Sequence, residues 1–271
     1  MIRFFKDLII GYKSIIHASL FIIKNHLWLY FLIPLLLLVL VLLSGEYVFD
    51  SMVKSFDFTR LQQMEFNDLS YSEELYSMLQ LAIQILIVFA VIKFNKYIVL
   101  IILTPVLTLL SAKTDSLLTG NIFPSSIKQV YSDVKRALKI TLRNMLLYMA
   151  WVAAIHVISI VIIPFEKDIG FSRHFFNTVI TFIIGCYYYG FSLIDYTNER
   201  RRLSIEESIK FVRKHSGLAF SLGSVYSALF FIPMVGIVIS PIVCVVAATI
   251  GLSKIINLAD NQYSKPKVKP E

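Results

Sequence analysis

The sequence predicts an all-α integral membrane protein, and three observations predict it. Hydrophobic residues fill 57% of the 271 positions and charged residues only 16%, whereas soluble domains are about a quarter charged. Mean hydropathy is +0.72. The apolar residues are gathered into long uncharged runs, at 27–45, 75–92, 97–112, 144–165 and 216–253, on the length scale that a bilayer requires. The same figures exclude a soluble fold, a disordered chain and a nucleic-acid partner.

Lys and Arg total 26 against 18 Asp and Glu, a formal charge of +8. In membrane proteins basic residues collect in cytoplasmic loops, so the excess reports topology. The two cysteines, Cys186 and Cys244, lie in apolar runs with no Cys or His at ligand spacing. They read as small buried thiols, and neither a disulfide framework, a metal site nor a cofactor is expected.

The elements follow in order. In residues 2–24, Arg3, Lys6, Asp7, Lys13, Ser14, His17 and Lys24 share one arc of a helical wheel, opposite Ile, Phe and Leu. Such a helix is expected in the membrane interface, its polar arc solvated. Residues 27–48 form the first span, with Trp28 and Tyr30 anchoring one end and Tyr47 and Phe49 flanking the other. The acidic stretch 46–74 then faces away from the cytoplasm, which places the N-terminus inside. Residues 75–96 form the second span, opened by a Ser70/Glu73 capping box and closed by Lys93 and Lys96. Its helix continues past the lipid or bends at Pro105.

Residues 113–143 are cytoplasmic by charge, with a turn at Gly120 and Pro124 followed by a basic amphipathic helix. The uncharged arms of 144–194 form a first hairpin, turning after Pro164. Ser204 and Glu207 open a helix that carries Arg213, Lys214 and His215 in its last turn and stops at Gly217. Residues 217–253 form a second hairpin. Pro233, Gly236 and Pro241 are expected to break it, which leaves a final arm only about 18 Å long, too short to cross. The hairpin would then dip in and return to the side it left. Val157-Ile158-Ser159 before Pro164 echoes Val225-Tyr226-Ser227 before Pro233, which suggests two repeated units. Residues 1–258 are read as one membrane domain and 259–271 as a basic cytoplasmic tail.

Several of these pieces, taken in order, carry a resemblance. They are Tyr30-Phe-Leu-Ile-Pro34-Leu-Leu, Thr104-Pro105 with Leu118-Thr119-Gly120, and Asp195-Tyr196 ahead of the Ser204/Glu207 helix. Leu218-Ala219-Phe220, Phe231-Ile232-Pro233-Met234-Val235-Gly236, Ser240-Pro241 and Ala247-Ala248-Thr249 complete the set. The chain resembles the CysZ-type sulfate permeases and the wider etoposide-induced-protein group. The resemblance implies two true spans, two partly inserted helical hairpins, homo-oligomers, a bacterial inner membrane and sulfate passage without ATP hydrolysis. Sulfate-binding members carry a Gly-x-Arg-Arg-type segment before the first-span proline. Here that stretch reads Asn25-His26-Leu27-Trp28-Leu29-Tyr30, with no arginine.

No Walker A loop, GxGxxG, HExxH or Ser/His/acid arrangement is found, so no enzyme is expected. His156 is the one histidine inside an apolar run, and a packing role is expected for it. Candidates for a transport path are Lys93, Asn95 and Lys96 on the second span, Asp195 and Arg200 at the end of an apolar arm, and Pro233 and Gly236, whose turn would expose helix ends. The expected function is an oligomeric permease or channel-like protein for a small inorganic anion, with lipid and a homo-oligomer as partners. A non-transporting scaffold that binds lipid or a protein is the alternative.

Overall fold

A computed structural model of the chain describes residues 2–40, 43, 72–120, 127–162 and 170–256; for 72–94, 127–130, 160–162 and 170–174 it describes the backbone alone. Among the described residues there is no strand. The helices are α1 (Ile2–Lys24), α2 (Leu27–Leu40, opening with the 3-10 turn Leu27–Phe31), α3 (Ser72–Thr119) and α4 (Ile127–Ile162). They are followed by α5 (Gly170–Arg200), α6 (Ile205–Lys214), α7 (Ser216–Leu229) and α8 (Val235–Ile255). The Ser70/Glu73 cap, most of the acidic stretch 46–74, the Pro164 turn and the basic tail fall outside the described residues.

Among the described residues, four stretches are long and apolar enough to cross a membrane: Asn95–Thr119, Tyr131–Ser159, Phe175–Arg200 and Val235–Ile255. A fifth arises if α1 and α2, bent by 103° at their junction, count as one broken span. His26 makes the bend with φ 56, a left-handed backbone between the end of α1 and the 3-10 turn.

Direction along the bundle follows from side-chain pairs. Tyr97 of α3 packs on Tyr189 of α5, with ring centroids 4.6 Å apart, and Asp115 further along α3 meets Arg200 further along α5. The two helices therefore run the same way. On α4, Arg136 reaches Asp195 and Trp151 reaches Tyr188, so α4 runs opposite to α5. At Gly190 and Gly223, α5 and α7 come so close that an added Cβ would collide with the Ala219 or the Cys186 carbonyl. Small residues permit this backbone approach in membrane helix pairs.

Three expectations are corrected. First, Pro241 does not break the second hairpin: α8 runs unbroken from Val235 to Ile255. Its arm is therefore about 31 Å long at 1.5 Å per residue, long enough to span. A proline removes one backbone donor, and a helix buried along most of its length tolerates that loss. The chain turns only at Phe230–Met234, where Met234 has φ 59. Second, Gly217 does not stop the helix before it. His215 caps α6, α7 begins at Ser216, and Gly217 leaves room for the Phe4 carbonyl of α1.

Third, the polar arc of α1 is not simply solvated. Asp7, Gly11, Ser14, Ala18 and Ile22 are buried against α7 and α8, while Ile2, Phe5, Ile9, Ile16 and Leu20 point outward. In lipid the apolar face is the one that suits the surroundings, so small and polar residues turn toward the protein. His17 stays exposed and contacts the Lys254 ammonium at 2.7 Å.

Other expectations hold. Ser204 accepts from the Glu207 amide, and Glu207 accepts from the Ser204 amide, so the capping box is formed. Cys186 and Cys244 are buried free thiols. His156 departs from its expected packing role: it is exposed, and among the described residues its ring bonds only to the Val152 carbonyl one turn back. The long helix continues through Pro105, and all of Ser72–Thr119 is one element.

Candidate functional site

The candidate residues separate into two groups at different levels of the bundle. The first surrounds Lys96. Its half-buried ammonium lies 5.4 Å from the Tyr189 ring, 5.4 Å from Phe231 and 6.0 Å from Phe230. Aromatic faces attract a cation through their quadrupoles. Among the described residues no carboxylate lies within ion-pair distance of it. Below it, Tyr97, Tyr148, Tyr189 and Tyr226 from four helices pack ring on ring, at 4.6 to 5.8 Å between the centroids of neighbouring rings. The Tyr226 hydroxyl donates to the Lys96 carbonyl at 2.7 Å. This tyrosine layer ties the helix carrying Lys96 to the hairpin that covers it.

Phe230 and Phe231 belong to the turn that includes Pro233, so Lys96 and the Pro233–Gly236 segment are brought together. The helix ends there are less open than expected. The Gly236 amide donates to the Ile232 carbonyl at 2.9 Å and the Val235 amide to the Pro233 carbonyl at 2.6 Å. Two of the first donors of α8 are thus used by the turn itself. Pro233 is exposed and Gly236 is buried against Leu229. Asn95 is half-buried beside Lys96, and the Lys93 side chain lies outside the described residues.

The second group holds Asp195 and Arg200, and they are not partners of each other. Asp195 is buried, 3.3 Å from the Arg136 guanidinium, and accepts from the Ser208 hydroxyl at 2.5 Å. Arg200 pairs with Asp115 at 3.2 Å and donates to the Ser111 hydroxyl at 2.5 Å. Ser111 also contacts the Thr249 hydroxyl at 3.0 Å, and Thr249 contacts Thr197 at 3.0 Å. Asn198 donates to Ser208 at 3.0 Å. Four helices and the first turns of α6 therefore meet in one buried polar layer. Taking Lys96 to Asp115 along α3, the two groups lie about 28 Å apart at 1.5 Å per residue.

Reading the sequence missed Arg136, Asp115, Asp133, Glu199 and Ser208. In sequence Arg136 is one of five cations, with Lys128, Lys135, Lys139 and Arg143, on one face of the basic amphipathic helix after Pro124. One signal was available: Asp195 and Glu199 are like charges four apart, a repulsive pair on an exposed helix and so a sign of cationic partners from elsewhere.

The family described as Sulfate transporter CysZ/Etoposide-induced protein 2.4 matches residues 14–241. The chain belongs to that family. The match takes in Lys96, its aromatic neighbours, the α7–α8 turn and the buried ionic layer. No curated protein matches the chain. Family membership and the long apolar helices together make this a multi-pass, sulfate-permease-like membrane protein.

Proposed function

We propose that the chain is an oligomeric permease or channel-like protein for a small inorganic anion, with sulfate the ion suggested by the family description. The observation that carries this reading is Lys96. A cation on an apolar helix needs a reason to be there. This one is held by three ring faces and no described carboxylate, so its charge is left for a mobile anion. In sulfate-binding relatives, arginines precede the first span. This chain has none in 25–30, and the lysine pair Lys93 and Lys96, with Asn95, would take over the attraction. Pro233 and Gly236 border the route, and the ion pairs of Asp195 and Arg200 close its far end. Passage is passive or ion-coupled along a polar path between protomers. The protein sits in a bacterial inner membrane, with both termini cytoplasmic, and has no catalytic role.

Uptake of labelled sulfate into liposomes tests the proposal. Wild type should load the vesicles, and replacing Lys93 and Lys96 with Ala should reduce loading and its salt sensitivity. The missing arginine favours one second reading, a non-transporting scaffold for lipid or a protein. No uptake of any anion tested, with lipid binding intact, would select it.

A further inference from the structure

The buried ionic layer holds more negative than positive charge. Asp115 on α3, Asp133 on α4, and Asp195 and Glu199 on α5 lie among Arg136 and Arg200, with Arg202 at the edge. Each of the two inner guanidinium groups already has a carboxylate partner, Arg136 with Asp195 and Arg200 with Asp115. Asp133 and Glu199 are left without an ion pair among the described residues. Glu199 is only 5% exposed, and neither of its oxygens receives a hydrogen bond from the described residues. The half-buried Asp133 stands one turn before Arg136 on α4, and Glu199 one turn after Asp195 on the antiparallel α5, so the Arg136–Asp195 contact sets the two carboxyls side by side. Both are acceptors when ionised, so the contact is repulsive unless a hydrogen stands between them.

Two carboxylates in contact, away from water, do not both stay charged. One proton turns the contact into an O–H···O⁻ bond, among the stronger hydrogen bonds in proteins. The charged groups facing the pair are Asp195 and Arg200 on α5, Arg136 on α4 and Arg202 just after α5. From α6, the polar group in the layer is the Ser208 hydroxyl, which already donates to Asp195.

We propose that Asp133 and Glu199 bind one proton between them, and that this proton latches the first turns of α4 to the last turn of α5. The proton comes from water and returns to it, and no other bond changes. With the proton bound, the repulsion is gone and the two helices close over the layer. With the proton removed at alkaline pH, two like charges face each other and the helices part. The site does not depend on which anion the protein carries.

Infrared difference spectroscopy on the intact protein in lipid reads the proton directly. A protonated-carboxyl band should be present at neutral pH, be lost in both Glu199→Gln and Asp133→Asn, and persist in Glu206→Gln, which alters an exposed acid on α6. A band unchanged by Glu199→Gln would overturn the proton site. Spin labels at Tyr131→Cys on α4 and Lys210→Cys on α6, both exposed positions, read the latch. Their separation should lengthen on moving to alkaline pH, and stay short when Glu199→Gln is added, because the amide donates to Asp133 at every pH. A separation that ignores pH in the otherwise wild-type background would overturn the latch.

Discussion

Asp7 and His215 stand 208 positions apart in the chain, and the His215 ring nitrogen meets the Asp7 carboxylate at 2.8 Å. Both side chains are buried, and Phe211 packs over the imidazole with centroids 4.7 Å apart. The contact fastens α1 to the junction of α6 and α7, where Gly217 lets the two backbones touch. A buried polar pair of this kind is costly to break because the remaining partner is left unsatisfied.

Asp7→Ala should therefore cost about 2 kcal/mol. It should also release α1 more readily than it disturbs the rest. Melting in detergent, with limited proteolysis around residues 24–27, measures both. Equal loss of protection throughout the chain would show that α1 is not separately held.

Gly190 and Gly223 face carbonyl oxygens across α5 and α7, so adding a methyl there forces backbone against backbone. Gly223→Ala should destabilise by about 1–3 kcal/mol. Gly120→Ala is the comparison: with φ 74 and open space around it, it loses only the left-handed preference, about 1 kcal/mol. Parallel melts distinguish crowding from backbone strain.

Lys96 makes a charge-specific prediction. Lys96→Met keeps the apolar stem and removes the charge, and sulfate entry should fall about tenfold or more if the cation concentrates the anion. Lys96→Arg keeps the charge and the ring contacts and should retain most of the entry rate. Initial uptake rates at two ionic strengths test this, and equal rates for Met and Lys would remove Lys96 from the route.

The Arg136–Asp195 pair should show strong coupling. Arg136→Met strands a buried carboxylate and should cost about 3 kcal/mol. The double variant with Asp195→Leu should recover a large part of that loss, because nothing charged is left without a partner. A double-mutant cycle on melting data gives the coupling term.

Helix α6 should respond to acid. The Ser204 amide, then its hydroxyl, hold the exposed Glu207 carboxyl below its ordinary range. A carboxylate depressed in the folded state contributes stability above its unfolded value, near 4.3 for Glu, and loses it as pH falls through the folded value. Amide exchange in the first turn of α6 should rise in acid, and Glu207→Gln, which removes the titrating group, should flatten that dependence.

The parts of this structure that were legible in the sequence are local ones. Ser204 and Glu207 are three residues apart, and their cap needs no tertiary information. The turn at Pro233 is legible because proline and glycine act on their own backbone. Pro241 has the same chemistry, yet α8 runs through it, since burial on all sides outweighs one missing donor. The wheel of α1 rightly left Arg3, Lys6, Lys13, His17 and Lys24 exposed, but it could not show that Asp7 and Ser14 on the same arc face the protein. Partners were the least legible. Arg136 lies 59 positions from Asp195, and Lys96 finds its rings on two other elements. Spacing along one helix carries no record of such meetings.

One shaft, α3, carries Lys96 near its middle and Asp115 near its end, with 48 residues and no interruption between Ser72 and Thr119. A continuous helix can act as a lever. If it rocks about the tyrosine packing, whatever moves at the Ser72 end is mirrored, in the opposite sense, where Asp115 meets Arg200.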